Sequence, residues 1–400
     1  MNSFGISRAG INLFNPQKIL FFLWLFLLVF PKGGFKLGGV PLTWGYFLLL
    51  ATCFFAFFRK EWKIQLPRSE VLLGLLPFQV VSFFTLAING QESLGMTLSF
   101  VVGFFVLPLL FFFIFSNDIE TLDLSRFFKL FRIGIAFIAS YGIFLFFYKH
   151  FTGKFIEIPF LTMNWNDLGE LETKNINRGF VFKLISTYNN GNIFGVCLLM
   201  LLPLYCYLER SSSLQLVVKS ALFLTFSRTV WIGLLFHECC FSFFISKNKK
   251  QALIKLFSSF IFLVLAMWAL ALYFDLPLTF FFDRNLGGRS EQLEFLQNPF
   301  LFSSKSFSQI VEIVYLGIID SFGIVGLITF LLATWGNIFF ISINRDLTRL
   351  RKCILLGLVN YLLMCFSDGA LLFIPTLVFF WFLLSLLARK NLEFEPQPII

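Results

Sequence analysis

Long apolar runs, separated by short polar breaks, occupy most of this chain. A helix that crosses a bilayer needs about 20 consecutive residues that are mainly apolar. Matched against that length, the runs predict about twelve transmembrane helices. The predicted spans cover residues 13–30, 38–58, 71–88, 94–115, 133–148, 192–208, 213–226, 229–246, 252–274, 323–343, 353–366 and 370–388. Runs as short as 213–226 and 353–366 indicate helices that are tilted, cross half of the membrane or extend into their flanks.

The predicted fold class is all-α, that of a polytopic integral membrane protein with two larger outer-face loops. The composition agrees, because 58% of the residues are hydrophobic and only 14% are charged, which excludes an ordinary soluble domain. Phe accounts for 62 residues, against 9 Tyr and 8 Trp. Most aromatic rings therefore lack a polar group and suit positions that face lipid or another helix.

Basic residues predict the orientation of the chain. With the amino terminus in the cytoplasm, 21 of the 32 Lys and Arg residues lie on the cytoplasmic side, and every short loop there is basic. Both termini are therefore predicted to be cytoplasmic. The same clusters between apolar runs account for the net charge of +10, so nucleic acid is not a predicted partner.

This orientation leaves two long segments, about 149–191 and 275–308, on the outer face, where we expect any chemistry to occur. The chain divides into an amino-terminal five-helix membrane region (1–148), a first outer segment (149–191), central membrane helices (192–274), a second outer segment with a re-entrant or interfacial helix (275–322), and carboxyl-terminal membrane helices with a cytoplasmic tail (323–400).

Metal and nucleotide sites are not predicted. The run His237-Glu238-Cys239-Cys240 directs its side chains to different faces of a helix, whereas ligands for one tetrahedral ion would need one-turn spacing. Glu238 lies inside a predicted span, and we expect it to pair with Lys219 or Lys255. Motifs that cradle nucleotide phosphates are lacking in the sequence, so no cofactor is expected.

Arginines supply the first candidate site residues. Arg178 shortly precedes the run 188–192 (YNNGN), which leads into an apolar helix. An anion at that helix amino terminus would be held by N–H groups and by Arg178, although Asn and Gly also suit a simple turn and N-cap. Arg228 interrupts apolar sequence between two predicted helices, so it either snorkels to the surface or faces an aqueous cavity.

The second outer segment adds two arginines and an isolated carboxylate. Arg284 and Arg289 are five residues apart and suit a diphosphate, but neighbouring acidic residues equally suit surface ion pairs with them. Glu312 stands almost alone in apolar sequence. Such a carboxylate is either neutralised by an arginine or has a pKa raised towards that of a general base, and both interpretations stay open.

Four short motifs then occur in a fixed order: the segment 178–192, the pair Ser227-Arg228, the pair Gly288-Arg289, and the run 312–326 (EIVYLGIIDSFGIVG). Together they resemble the O-antigen polymerase and O-antigen ligase superfamily of bacterial membrane glycosyltransferases, over about residues 175–345.

The resemblance implies a GT-C-like, metal-independent glycosyltransferase of the bacterial inner membrane whose active site faces the periplasm. Its partners would be an oligosaccharide linked to undecaprenyl diphosphate and membrane lipid, with a chain-length regulator left open. It implies a diphosphate clamp of Arg178, Arg289, Arg284 and Arg228, substrate contacts from Asn192 and Tyr315, and Glu312 or Asp320 as the catalytic base.

Within this superfamily, the chain is more similar to the polymerases. Ligases usually carry a His-containing motif before the Gly-x-x-Gly helix, whereas residues 305–309 here read KSFSQ. Polymerases often have Asp-Ser where this chain has Glu312-Ile313, which is a departure. We expect a polymerase that transfers glycan from undecaprenyl diphosphate to an acceptor sugar hydroxyl. The alternative is a ligase that uses a lipid A-core acceptor. A flippase or transporter is the alternative from another functional class. Transporters usually have polar residues at a midplane site, whereas here the polar residues concentrate in the outer segments.

Overall fold

The computed structural model describes residues 16–37, 40–57, 69–173, 177–178, 181–245, 249–273, 289–296 and 300–394, which are mostly helical. The helices are α1 (Pro16–Val29), α2 (Trp44–Phe57), α3 (Ser69–Asn89), α4 (Leu94–Ile114), α5 (Ser116–Glu120), α6 (Leu124–Thr152), α7 (Glu170–Thr173), α8 (Gly191–Leu208), α9 (Ser212–Phe223), α10 (Arg228–Ile245), α11 (Lys249–Tyr273), α12 (Val314–Asn344), α13 (Arg349–Met364) and α14 (Ile374–Leu387). Two antiparallel hairpins pair β1 (Gly34–Leu37) with β2 (Val40–Thr43) and β3 (Asn177–Arg178) with β4 (Val181–Phe182).

Six of the described helices are long and apolar enough to cross a membrane: α3, α4, α6, α8, α10 and α12. This confirms a mainly helical fold with apolar helices of membrane-spanning length. Shorter apolar helices include α1, α2, α9 and α14. A helix lies within each of the twelve predicted runs, but the number of spans, their orientation and the GT-C-like class stay predictions.

The core of the bundle lies around α14, whose residues are all buried. A helix that is apolar on every side requires apolar neighbours on every side, and α14 contacts α1, α4, α8 and α13. Large apolar side chains elsewhere are exposed, as on α3, where Phe83 and Phe84 are both more than half exposed. Such an outward-facing apolar surface suits contact with lipid.

Irregular turns in α4 fix the position of α14. Two π turns, Val102–Val106 and Leu110–Ile114, flank Pro108, which lacks the N–H needed for a regular helical bond. Side chains of α14 use carbonyl groups in these turns: Trp381 Nε1–H donates to Gly103 O at 2.8 Å, and the Ser385 hydroxyl donates to Phe111 O at 3.3 Å. The second half of α14 is thereby held against α4.

Helix directions define two ends of the bundle. At the loop end, α8 and α14 begin and residues 153–190 connect α6 to α8. At the basic end, Arg132 donates to Glu209 at 2.9 Å, and Arg351 donates to the carbonyl oxygens of Arg389 and Lys390 at 2.7 and 2.8 Å. Cations next to apolar helices therefore have partners at the basic end.

The predicted partner of Glu238 is confirmed. Lys219 Nζ lies 2.6 Å from Glu238 Oε1, so the ion pair joins α9 to α10. The side chain of Lys255, the other predicted partner, lies outside the described residues. The pair supports the interpretation that the run 237–240 has a structural role.

The helix α12 begins nine residues before the predicted span and breaks where that span was expected to start. Gly323 has a φ of 77° and a ψ of −173°, far from helical values. Backbone N–H groups after the break, those of Ile324 and Val325, donate to the oxygens of Phe300 (2.9 Å) and Leu301 (3.1 Å). The chain from residue 300 therefore docks on this break before it continues to residues 309–312.

We expect Gly323→Ala to destabilise the protein by about 1–3 kcal/mol, because the left-handed backbone is unfavourable for a residue with a Cβ. That Cβ would also lie 2.4 Å from the carbonyl oxygen of Leu301. The measurement is the midpoint of thermal unfolding in nanodiscs. Gly336→Ala is the matched control within the same helix, since its Cβ would meet its nearest neighbour at an ordinary 3.7 Å. Equal midpoints for the two variants would contradict the prediction.

Candidate functional site

A polar cavity of about 720 Å³ lies at the loop end of the bundle. Its lining combines amides (Asn164, Asn189, Asn190, Asn192, Gln309), hydroxyls (Thr43, Tyr46, Ser93, Ser99), carboxylates (Asp167, Glu170, Glu312, Asp368), ammonium groups (Lys32, Lys36) and apolar side chains that include Met163 and Leu371. Amides and hydroxyls both donate and accept hydrogen bonds, so the wall suits a ligand rich in hydroxyl groups.

Five of the described helices begin at this cavity. The lining residues at or next to their starts are Thr43 for α2, Ser93 for α4, Asn190 for α8, Glu312 for α12 and Phe373 for α14. Helix amino termini carry partial positive charge, and their convergence favours an anion. The ammonium of Lys32 lies 4.7 Å from the centroid of the Phe373 ring and adds a full positive charge at the start of α14.

The start of α8 is built by consecutive asparagines. Asn190 is the N-cap, and its Oδ1 accepts from the N–H groups of Asn192 (2.8 Å) and Ile193 (3.3 Å). Asn189 adopts a left-handed φ of 56° and donates through Nδ2 to Thr162 O at 2.7 Å. The capping role that the sequence suggested is thus confirmed for Asn190, and it directs the side chain of Asn192 into the wall of the cavity.

A charged network joins three residues of the same wall, Asn192, Glu312 and Asp368, to Arg289 and Lys183, which lie behind the lining residues. Arg289 Nε is 2.6 Å from Glu312 Oε2, and Arg289 Nη2 donates to Asp368 Oδ2 at 3.1 Å. Asn192 Nδ2 donates to the same Asp368 oxygen at 2.7 Å, while its Oδ1 accepts from Lys183 Nζ at 3.4 Å. Arg289 therefore bridges two carboxylates of the cavity wall, and Asn192 connects that bridge to a second cation.

Backbone contacts hold the three segments of this network together. The Gly369 N–H donates to the carbonyl oxygen of Glu312 at 3.2 Å, which ties the loop after α13 to the start of α12. The Ile313 N–H donates to Gln292 Oε1 at 3.1 Å, and Gln292 lies in the 3₁₀ turn that follows Arg289. The ion pairs thus rest on a fixed backbone.

Asp368 is the carboxylate whose ionisation is most affected. Burial raises its pKa to about 6, because the carboxylate loses hydration there. The positive charge of Arg289 and the bond from Asn192 act in the opposite direction, and the negative charge of Glu312 adds to the rise. A carboxylate that titrates just below neutral pH is suited to accept a proton from a reacting hydroxyl.

Asp167, another carboxylate of the cavity, behaves differently. Burial alone raises its pKa, but an ion pair with Lys36 and a bond from Asn164 Nδ2 (3.3 Å) outweigh burial and lower the pKa. The bond to Asp167 raises the pKa of Lys36. Glu170 lies 3.5 Å from the same ammonium. Because the pKa of Asp167 is lowered whereas that of Asp368 is raised, Asp368 is the better proton acceptor.

The structure brings three of the predicted site residues together: Asn192, Arg289 and Glu312. Arg289 neutralises Glu312, so one of the two interpretations of that carboxylate, the ion pair, is confirmed. The side chain of Arg178 and the whole of Arg284 lie outside the described residues, and their predicted roles stay predictions.

Three other predicted site residues lie elsewhere within the described structure, and none of them lines the cavity. The Tyr315 hydroxyl donates to Leu362 O at 2.8 Å, which directs it towards α13. Asp320 pairs with Lys305 at 2.5 Å. Arg228 is half-buried as the first residue of α10. The positions of Tyr315 and Asp320 follow from helix geometry, since residues close in sequence on α12 face different neighbours.

Sequence reasoning missed Asp368 and the lysines of the first hairpin. The signal for Asp368 was present, because it is the only charged residue between Lys352 and Arg389. A lone carboxylate in apolar sequence identified Glu312, and it identifies Asp368 equally well. Lys32 and Lys36 gave no such signal, since lysines next to a predicted span are common.

Comparison of the chain with models of protein families, with curated proteins and with solved structures finds no match. The fold and the site define a class: a helical protein whose described residues include six helices of membrane-spanning length, with a polar, charged cavity where several helices begin.

Proposed function

We propose that the protein is a membrane glycosyltransferase of the polymerase type, which transfers glycan from a lipid diphosphate, undecaprenyl diphosphate, to a hydroxyl of an acceptor sugar in this cavity. One observation carries the proposal: Arg289, a cation suited to a diphosphate, directly contacts Asp368, a carboxylate with the pKa of a useful base. The resemblance of residues 175–345 to O-antigen polymerases supplies the substrate class. In this proposal the loop end faces the periplasm.

The leaving diphosphate would bind among the converging helix starts and Arg289. Negative charge develops on the bridging oxygen as the bond from the anomeric carbon to the diphosphate breaks. Preorganised cations and helix amino termini lower the energy of that transition state more than they lower that of the ground state. Lys32, beside the start of α14, adds a second cation.

Asp368 would act on the acceptor. Its ionised carboxylate takes the proton of the acceptor hydroxyl as the oxygen of that hydroxyl bonds to the anomeric carbon. Asp368 then carries the proton and the lipid diphosphate leaves with the bonding electron pair, so charge and atoms balance. Asn192 and Arg289 orient the carboxylate during this step.

The sugar-binding surface would be the amide and hydroxyl part of the wall. Tyr46 and Ser99 form a hydroxyl pair at 2.7 Å, and Asn164 is buried at the wall next to the ion pair of Lys36. Groups that donate and accept at once are those that recognise sugar hydroxyls. A lining of this kind would not be needed to bind lipid alone.

The test is electrophoresis of surface glycan from a deletion strain that carries the wild-type gene or the Asp368→Asn gene, with membrane levels of the protein matched. We expect a ladder of repeats from the wild type and a single repeat on the lipid anchor from the variant. Polymer that accumulates on undecaprenyl diphosphate without reaching the surface acceptor would instead favour the ligase. Repeats retained on the cytoplasmic face would favour a flippase.

A further inference from the structure

The Glu312 carboxylate contacts the part of the Arg289 guanidinium to which an anionic ligand would bind. The side chain of Arg289 is 13% exposed and its guanidinium lies between two carboxylates, so its charge is already compensated. The two partners differ in burial: the side chain of Asp368 is 8% exposed and that of Glu312 is 52% exposed. An exposed carboxylate regains its hydration when an ion pair breaks, whereas a buried one does not.

We propose that Glu312 is a displaceable counter-ion, which occupies the anion position on Arg289 in the empty protein and leaves when the diphosphate group of the substrate enters. This inference rests on the proposed function for the identity of the ligand. The contact with Asp368 persists through the exchange, so Arg289 keeps that carboxylate partner in both states. Glu312 is then neither the base nor a permanent structural ion pair.

The anchoring of the residue supports this exchange. Its carbonyl oxygen accepts from the Gly369 N–H at 3.2 Å, and the next N–H, that of Ile313, donates to Gln292. The backbone is thus fixed on both sides while the half-exposed side chain is free to rotate away. Glu312 also lines the cavity, so its departure would expose Arg289 to a ligand within the cavity.

An exchange of this kind has a function in a protein with a buried cation. If Glu312 left without a replacement, the Arg289 Nε would lose the carboxylate that it contacts at a low-exposure site, at a cost in stability. In the empty state the contact with Glu312 stabilises Arg289. An entering anion must break that contact, so its affinity is lowered by the free energy of the contact. Release of product is thereby assisted, because Glu312 competes with the diphosphate for Arg289.

The test is the binding of inorganic diphosphate to the full chain in nanodiscs, measured by calorimetry at constant ionic strength. We expect Glu312→Gln to bind diphosphate about three- to tenfold more tightly than the wild type, since the competing charge is gone while the shape is kept. Asp320→Asn is the matched control, because it removes a carboxylate that pairs with Lys305 and does not line the cavity. Its affinity is expected to stay close to that of the wild type.

Unchanged or weaker binding by Glu312→Gln would overturn the proposal, as would an equal gain in Asp320→Asn, which would indicate a general effect of charge. Glu312→Asp covers the case in which the amide variant does not fold, since the shorter carboxylate should give an intermediate affinity. Glycan transfer is a separate readout. If Glu312→Gln loses glycan transfer but binds diphosphate as the wild type does, Glu312 is the base and the exchange is overturned. If Glu312→Gln binds diphosphate more tightly but the wild-type protein transfers no glycan, only the proposed function is overturned.

Discussion

Asp368→Asn is expected to lower the rate of glycan transfer by about 10²–10⁴-fold, the contribution of a positioned general base. The substitution keeps the size of the side chain and its ability to accept from Asn192 and Arg289, which donate to Oδ2 at 2.7 and 3.1 Å. Proton acceptance is lost, together with the negative charge that faces Arg289. The measurement is the initial rate of repeat addition by the purified protein with lipid-linked donor and acceptor.

The matched control is Asp320→Asn. Asp320 is the other carboxylate that the resemblance suggested as a base, but it pairs with Lys305 and does not line the cavity. We expect Asp320→Asn to retain most of its transfer activity. A large loss of transfer activity in Asp320→Asn, together with full activity in Asp368→Asn, would mean that Asp320 is the base and Asp368 is not.

Transfer should also depend on pH through the same group. Because burial raises the pKa of Asp368 to about 6, the ionised base is lost as pH falls through 6, and the rate should fall with it. Folding stability has the opposite trend. The Asp368 carboxyl group binds its proton more tightly in the folded state than in the unfolded state. Its contribution to stability therefore falls as pH rises from about 4 to about 6. A rate that falls below pH 6 while the protein stays folded would therefore report the base itself.

Hydropathy predicted where the helices lie, because each apolar run must bury its backbone bonds within a helix. Hydropathy predicted the ends of the helices less accurately. Charged residues such as Arg126 and Lys129 continue α6 beyond the apolar window 133–148, since Lys and Arg form helices readily. At Gly323 the composition gave no sign of a break, because that break depends on contacts with residues 300 and 301.

The site was predictable only in part, for a physical reason. A lone charge in apolar sequence is costly and therefore stands out, which identified Glu312 and would have identified Asp368. Which charges meet depends instead on helix packing. Lys36 and Asp167 are far apart in sequence and join only because the first hairpin contacts the segment before α7. The resemblance covered about residues 175–345, so it included neither the hairpin nor Asp368.

Arg289→Gln is expected to raise the KM for the lipid-linked donor and to lower kcat/KM by about 10²-fold or more, as for removal of a group that stabilises developing negative charge. Arg289→Lys should restore little, because one ammonium cannot contact Asp368 and a diphosphate with the two edges that a guanidinium offers. Loss of Arg289 also removes the cation that lowers the pKa of Asp368. The residual activity of Arg289→Gln should therefore fall away at a higher pH than that of the wild type.

Arg228→Gln is the control that separates the geometry from the resemblance. The resemblance places Arg228 in the diphosphate clamp with Arg289, whereas the structure places it at the start of α10 and outside the cavity lining. If the cavity is the site of transfer, Arg228→Gln should bind the donor nearly as well as the wild type. Its transfer rate should still fall as pH drops through about 6, as in the wild type. A defect in Arg228→Gln as large as that in Arg289→Gln would mean that the diphosphate binds nearer α10, and that the contact between Arg289 and Asp368 only stabilises the fold.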